Sequence, residues 1–195
     1  DLSSREEQPM SMATDDSNVT LARPGIAVLI PCFNEAVAIA KVVGDFRTHL
    51  PGALVYVYDN NSTDGTVAEA TRAGAIVRRE PLQGKGNVVR RMFADIEADV
   101  YVLVDGDDTY SAASAPELVA RLESERLDMV NGARVTAIPD AYRTGHRLGN
   151  AMLSGMVQAI FGKRIGDLLS GYRVLSRRFV KSFPAMSHGF ETETE

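Results

Sequence analysis

The chain has 195 residues, 45% hydrophobic and 24% charged, enough for one sizeable α/β domain and too few for two comfortable ones. A net charge of −5 argues against a general nucleic-acid binder, and the single cysteine, Cys32, excludes an internal disulfide and fits a reducing compartment. No apolar run reaches the roughly 18 residues a membrane span needs, and the first residues lack the charged-then-apolar order of a secretory signal.

Residues 1–23 are polar, acidic and broken by Pro9, and are expected to be a disordered lead-in. From Gly25 the pattern is strand, turn, helix, repeated. IAVLI (26–30) suits a strand buried on both faces and closed by Pro31, and AVAIAKVVGDF (36–46) has helical spacing. LVYVY (54–58) is a second strand, followed by the turn-rich DNNSTDGT and a helix over 67–73. AIVRR (75–79) reads as a third strand, GKG (84–86) opens a helix through about Ile96, and VYVLV (100–104) is a fourth strand. APELVARLES (115–124) is a helix with proline in its first turn, and DMVNG (128–132) a fifth strand. Leu148, Met152, Met156 and Ile160 recur every four residues, the mark of an amphipathic helix with a core-facing stripe. DLLSGYRVLSRRFVKSF then reads as a glycine-containing turn and a short basic helix. GFETETE has neither a helix stop nor a polar tail, so residues 24–195 are expected to form one domain cut short at its C-terminal end.

Alternating strands and helices predict a mainly parallel sheet with right-handed crossovers and helices on both faces. Ligands bind such sheets at the carboxyl ends of the strands. The polar clusters PCFNE, DNNSTDG and DGDD all come after strand ends and should converge on one crevice.

Asp105-Gly106-Asp107 puts two carboxylates at the end of a short strand, with a glycine that lets backbone approach a ligand. Hard oxygen donors in that arrangement suit Mg²⁺ or Mn²⁺, which take one or two carboxylates plus phosphate oxygens. Helix capping would need one aspartate rather than three, and Asp108 is assigned that lesser role. Asp59, ending the second strand, is placed to accept N–H groups of a nucleobase. Ser62, Thr63 and Asp64 read as a turn and helix cap. Lys85 between two glycines at a helix start resembles a small phosphate cradle, although it is no Walker A loop, and no GxGxxG comes after the first strand. His49, His146 and His188 are scattered and form no zinc pattern, and nothing near Cys32 would activate a thiolate. Residues 134–181 carry nine Lys/Arg against two Asp, a segment that either faces an anion or is a solvated basic surface.

Taken together, VLIPCFNEA, VYVYDNNSTDGT, QGKGNVVRRMF, LVDGDDTY, DLLSGYRVLSRRF and GFETETE resemble glycosyltransferase family 2, in its order and spacing. Within it they look most like the polyprenyl-phosphate branch typified by dolichol-phosphate mannose synthase. The resemblance implies a GT-A fold, a Rossmann-like sheet binding a nucleotide sugar, and inversion at the anomeric carbon. Pro31, Phe33 and Glu35 would border the nucleoside, Asp59 would read the base and Lys85 would lie near the nucleotide. Asp105, Gly106 and Asp107 would form the DxD that holds ribose and a Mg²⁺ or Mn²⁺ ion. Arg134, Arg143, Arg147, Ser170 and Arg173 fall where that branch binds the acceptor phosphate, which suits the bidentate fork of arginine.

The expectation is thus hexose transfer from a UDP- or GDP-sugar to a polyprenyl phosphate, at the cytoplasmic face of a membrane reached through a C-terminal part beyond the chain. The alternatives are a family 2 enzyme with a hydroxyl acceptor, such as a sugar chain or a small phosphorylated acid, and a sugar-nucleotide-binding protein without turnover. A phosphate acceptor is already anionic, whereas a hydroxyl needs a base, for which Asp167 and Glu191 are the candidates. Two departures from the family pattern stand out. Asn60 replaces the second carboxylate after strand two, and Cys32 replaces a small or hydroxylated residue.

Overall fold

The computed structural model describes residues 25–132 and 170–182. Six strands form one sheet in the order β3-β2-β1-β4-β6-β5: β1 (Ile26–Cys32), β2 (Leu54–Asp59), β3 (Ile76–Arg79), β4 (Val100–Leu103), β5 (Met129–Asn131) and β6 (Arg173–Ser176). The first four are mutually parallel, and β6 runs antiparallel to both β4 and β5. The helices are α1 (Ile39–His49), α2 (Thr66–Arg72), α3 (Lys85–Asp95), α4 (Ala115–Ser124) and α5 (Arg177–Ser182), with a 3₁₀ turn at Ala112–Ser114 before α4. This is the expected α/β architecture, a mostly parallel Rossmann-like sheet flanked by helices, as in a GT-A fold.

The pleat of β1 explains the three layers. Val28 and Ile30 point to one face, where α1 contributes Ile39, Val42, Val43 and Phe46 and α4 contributes Val119 and Leu122. Ala27 and Leu29 point to the other, against Val88, Val89, Met92 and Phe93 of α3 and Val180 of α5. A strand buried on both faces has no use for polar alternation, which is why 26–30 reads as an unbroken apolar run. Phe46 is a large side chain of the first core, and its ring meets that of Tyr172 edge-on at 6.0 Å between centroids.

Three boundaries differ from expectation by more than one residue. β1 continues through Pro31 to Cys32. Its ladder to β4 ends at Leu29, so the missing proline N–H falls beyond that ladder, while pairing with β2 goes on to Cys32↔Asp59. α1 begins at Ile39 rather than 36, since Asn34 at φ 57° and the Glu35 carbonyl, bonded by the N–H groups of Ala38 and Ile39, spend the preceding residues in a turn. It ends at His49 because Leu50 precedes Pro51 and is driven out of helical geometry (φ −123°, ψ 69°). The stretch expected as turn and helix, DLLSGYRVLSRRFVKSF, holds in its described part an additional strand, β6, ahead of α5. The lead-in 1–23, the stripe from Leu148 to Ile160 and the GFETETE end lie outside the described residues.

Candidate active site

The chain runs outward from β1 to β2 and β3 on one side, then returns to place β4 on the other side of β1. That reversal opens a crevice at the carboxyl ends of β1 and β4, where such sheets bind ligands. A cavity of about 600 Å³ lies there, lined by Pro31, Cys32, Phe33 and Glu35 from the end of β1 and its loop, Asn60 after β2, Gln83, Gly84, Lys85 and Val88 at the start of α3, and Asp105, Gly106 and Asp107 after β4.

The loops that carry these groups are braced against one another. The Asn34 N–H donates to Ser62 Oγ (2.8 Å), the Glu35 N–H to Thr66 Oγ1 (2.8 Å) and the Ala36 N–H to Asp64 Oδ2 (3.2 Å), while Asn34 Oδ1 accepts the Thr63 N–H (2.9 Å). Ser62, Thr63 and Asp64 therefore do more than turn the chain; they hold the Glu35 loop. The residue capping α2 is Gly65, with no side-chain cap, and Asp64 Oδ1 accepts the Thr66 N–H inside that turn.

Asn60, the apparent loss of a carboxylate, has a definite task. Its amide donates to the carbonyls of Glu80 and Leu82 (2.8 Å each) and its oxygen accepts the Gly84 N–H (2.8 Å). A carboxylate could accept but not donate, so only an amide fastens both sides of this loop. The loop ends at Gly84, whose φ of 126° suits glycine, and the next residue is Lys85.

Cys32, the other departure, lies under the DxD. A Cβ on Gly106 would stand 2.7 Å from Cys32 Sγ, so the backbone between the two aspartates is seated on the sulfur. Burial first, then the charges of Glu35, Asp59, Asp105 and Asp107, push the thiol well above its ordinary pKa, which leaves it inert as a nucleophile.

The electrostatics centre on the carboxylates. Lys85 Nζ stands 2.7 Å from Asp105 Oδ1, with both side chains largely covered. Gly171 packs against the same carboxylate so closely that a Cβ there would strike Asp105 Oδ2. Asp107 Oδ1 accepts the Thr109 N–H (3.0 Å), which turns the loop sharply. Asp108 is no helix cap. It sits at φ 61° with its carboxylate 2.8 Å from Lys41 Nζ, on the α1 side. Glu35 is held above the usual carboxylate range, by burial first and then by the charges of Asp107, Asp105 and Asp64. Among the described residues the cavity lining thus gathers more carboxylates than cations.

Asp105 and Asp107 are hard oxygen donors of the kind Mg²⁺ and Mn²⁺ take, and the ammonium on Asp105 shows that a cation fits against it. Among the described residues no group of three His, Cys, Asp or Glu forms a ready cage. An ion here would complete its shell with water and ligand oxygens, the usual habit of a small divalent ion at a phosphate site.

Of the residues expected to bind the nucleotide sugar, the cavity brings together Pro31, Phe33, Glu35, Lys85, Asp105, Gly106 and Asp107. Asp59 is buried and does not line it, with both carboxylate oxygens accepting the Ser62 N–H (3.3 Å) and Arg79 3.9 Å away. Ser170 is fully buried, its hydroxyl donating to the Gly132 carbonyl. Arg173 is a residue of β6 paired with Leu103 and Asn131. Arg134, Arg143, Arg147, Asp167 and Glu191 lie outside the described residues. In the sequence Asn60 reads only as a lost carboxylate and Gly171 only as part of a turn, yet the structure gives both a place at the site. The first has the signal of an amide where the family carries an acid, and the last had none short of three dimensions.

A mostly parallel Rossmann-like sheet with a DxD and a lysine-bearing glycine turn at its switch point is the architecture of a GT-A domain. Residues 27–183 match the family described as Glycosyl transferase family 2, and the chain belongs to it. It is 58% identical over 123 residues to Protein RfbJ of Shigella flexneri, covering 63% of this chain and 95% of that one. It is 38% identical over 172 residues to Glycosyltransferase AglJ of Haloferax volcanii, covering 87% of this chain and 56% of the relative. Among solved structures it is similar to glucosyl-3-phosphoglycerate synthase from Mycobacterium tuberculosis in complex with Mn²⁺, UDP-glucose and phosphoglyceric acid. The TM-score there is 0.72 at 26% identity, covering 88% of this chain and 63% of that one. The chain therefore spans less than two thirds of the length of that synthase and of AglJ.

The expected polyprenyl phosphate acceptor is corrected by this likeness. The solved relative holds a small phosphorylated acid, phosphoglyceric acid, beside its sugar nucleotide. Most of the stretches behind the polyprenyl expectation fall at the ends of β1, β2 and β4 and the start of α3, outside the basic segment 134–181 to which an acceptor was ascribed. Among the described residues no helix is long and apolar enough to cross a membrane.

Proposed function

We propose that this chain is the donor-binding part of a metal-dependent glycosyltransferase that passes a hexose from a nucleotide sugar to a hydroxyl acceptor, with a small phosphorylated acid as the favoured acceptor class. The observation that carries the proposal is the meeting of Asp105, Asp107, Glu35 and Lys85 in one cavity at the carboxyl ends of β1 and β4. The likeness to a synthase holding Mn²⁺, UDP-glucose and phosphoglyceric acid supports a UDP-sugar as donor and Mn²⁺ as the ion.

Asp105 and Asp107 would hold the divalent ion, which supplies charge neutralisation as the nucleoside diphosphate departs. Phe33, half exposed at the cavity rim, offers an apolar face to the nucleoside, and Lys85 offers a cation to the phosphates at the α3 N-terminus, where backbone N–H groups also point outward. A hydroxyl acceptor needs a base, and Asp167 and Glu191 are proposed for it. The arginines at 134, 143, 147 and 173 are proposed to receive the acceptor's phosphate and carboxylate, since the guanidinium fork suits both groups.

Release of UDP from UDP-glucose tests the proposal. Turnover is expected with Mn²⁺, to stop with a chelator, and to fall by about 10²-fold or more in Asp107→Asn, the scale of losing a preorganised charge contact. Metal-independent release, or full activity in Asp107→Asn, would reject it.

A further inference from the structure

Lys85 occupies the place a metal would want. Its ammonium is 2.7 Å from Asp105 Oδ1, and both side chains are mostly withdrawn from water, at 11% and 23% exposure. The Gly171 backbone closes on the other oxygen of the same carboxylate, so Asp105 has little freedom to turn toward a second cation while the lysine stays. Asp107 and Glu35 line the same cavity, which sets the one ammonium of Lys85 among three carboxylates of its lining.

We infer that Lys85 is an exchangeable counter-cation: it neutralises Asp105 in the free protein and moves to the donor's diphosphate when that arrives, releasing the carboxylate to the divalent ion. This rests on the donor-site reading above. The charge balance gives the order. A divalent ion entering alone must approach an ammonium already seated on its ligand, and finds among the described residues too few protein donors to complete its shell. A nucleoside diphosphate offers the lysine a more highly charged partner and offers the ion the missing oxygens. Metal and nucleotide therefore bind with positive coupling, part of which resides in this one side chain. Lys85 is well placed for the move. It begins α3 directly after Gly84, and Asn60 fixes the loop behind it while its four-carbon stem can swing about its Cα.

The experiment is calorimetric or spin-resonance titration of Mn²⁺ into the whole chain, with and without saturating UDP, for the native protein, Lys85→Gln and Lys85→Arg. Native protein should bind Mn²⁺ weakly alone and at least about tenfold more tightly with UDP, a coupling of ordinary size. Lys85→Gln should bind Mn²⁺ alone several-fold more tightly than native protein, because Asp105 is released, and should show a smaller tightening by UDP. Lys85→Arg, which keeps the charge, should stay close to native, and a native-like circular dichroism spectrum of each variant shows the fold retained. Unchanged or weaker Mn²⁺ binding by folded Lys85→Gln, with coupling intact, overturns the exchange while leaving the donor site standing. Absence of Mn²⁺ binding by native protein even with UDP overturns both.

Discussion

At the scale of single residues, the departures from the family pattern turn out to be structural parts of the site. Gly106 is tied to Cys32 by the 2.7 Å approach that a Cβ would make to the sulfur. Gly106→Ala is therefore expected to displace the DxD backbone, at about 1–3 kcal/mol of stability and with weakened Mn²⁺–UDP binding. Adding Cys32→Ala removes the obstruction and should restore much of both, as read by thermal melting and titration of the single and double variants. Asn60→Asp restores the carboxylate usual in the family, yet leaves the carbonyls of Glu80 and Leu82 facing an anion. We expect it to lower the urea midpoint at constant slope, by about 1–3 kcal/mol for one buried and one part-buried acceptor losing their donor. The carboxylate pair itself was legible in the sequence because charge crowding at a strand end has few purposes. Asp108 was not, since its partner Lys41 lies 67 positions away and only the fold reveals the 2.8 Å pair.

Among the secondary-structure elements, those with strong periodicity were legible and the short ones were not. β1, β2 and β4 are apolar runs that only a buried strand explains, and α1 and α3 show their core faces at helical spacing. β6 was missed because its four residues come after a glycine turn and lead directly into α5, whose first residues are basic. What makes it a strand is the pairing with β4 and β5, a tertiary fact. Its attachment is partly ionic. Arg178 and Ser176 hydrogen-bond Asp128 and lower its carboxyl below the ordinary range. Lys181 foremost, with Arg177, does the same for Glu97, while Lys181 also donates to the carbonyls of Phe93 and Ile96 at the end of α3. A carboxyl lowered in the folded state stabilises above its unfolded pKa, and that contribution is lost as pH falls through the folded value. Hydrogen exchange should accordingly show α5 loosening below the ordinary carboxylate range before the central strands do. Glu97→Gln with Asp128→Asn should show that looseness already at neutral pH and no further acid step. The effect is modest because these pairs are exposed.

For the molecule as a whole, the sheet explains why so much of the cavity lining could be read from sequence. Each polar cluster comes directly after a strand, the strands are parallel, and parallel strands put all their carboxyl ends on one edge. The acceptor side has no such rule. Its candidate groups, Arg134, Arg143, Arg147 and Asp167, come from a segment with a charge bias but no strand rhythm, and similar basic segments serve a lipid phosphate or a small acid equally well. The likeness to a solved relative that holds phosphoglyceric acid is what favours a small acid over a lipid in the proposed reading. The most direct test is transfer of labelled glucose from UDP-glucose, with Mn²⁺, to phosphoglyceric acid and to a polyprenyl phosphate offered side by side. We expect label in the water-soluble acid, abolished by chelator and by Asp107→Asn. Label confined to the polyprenyl phosphate, or reaching the acid without metal, would contradict it.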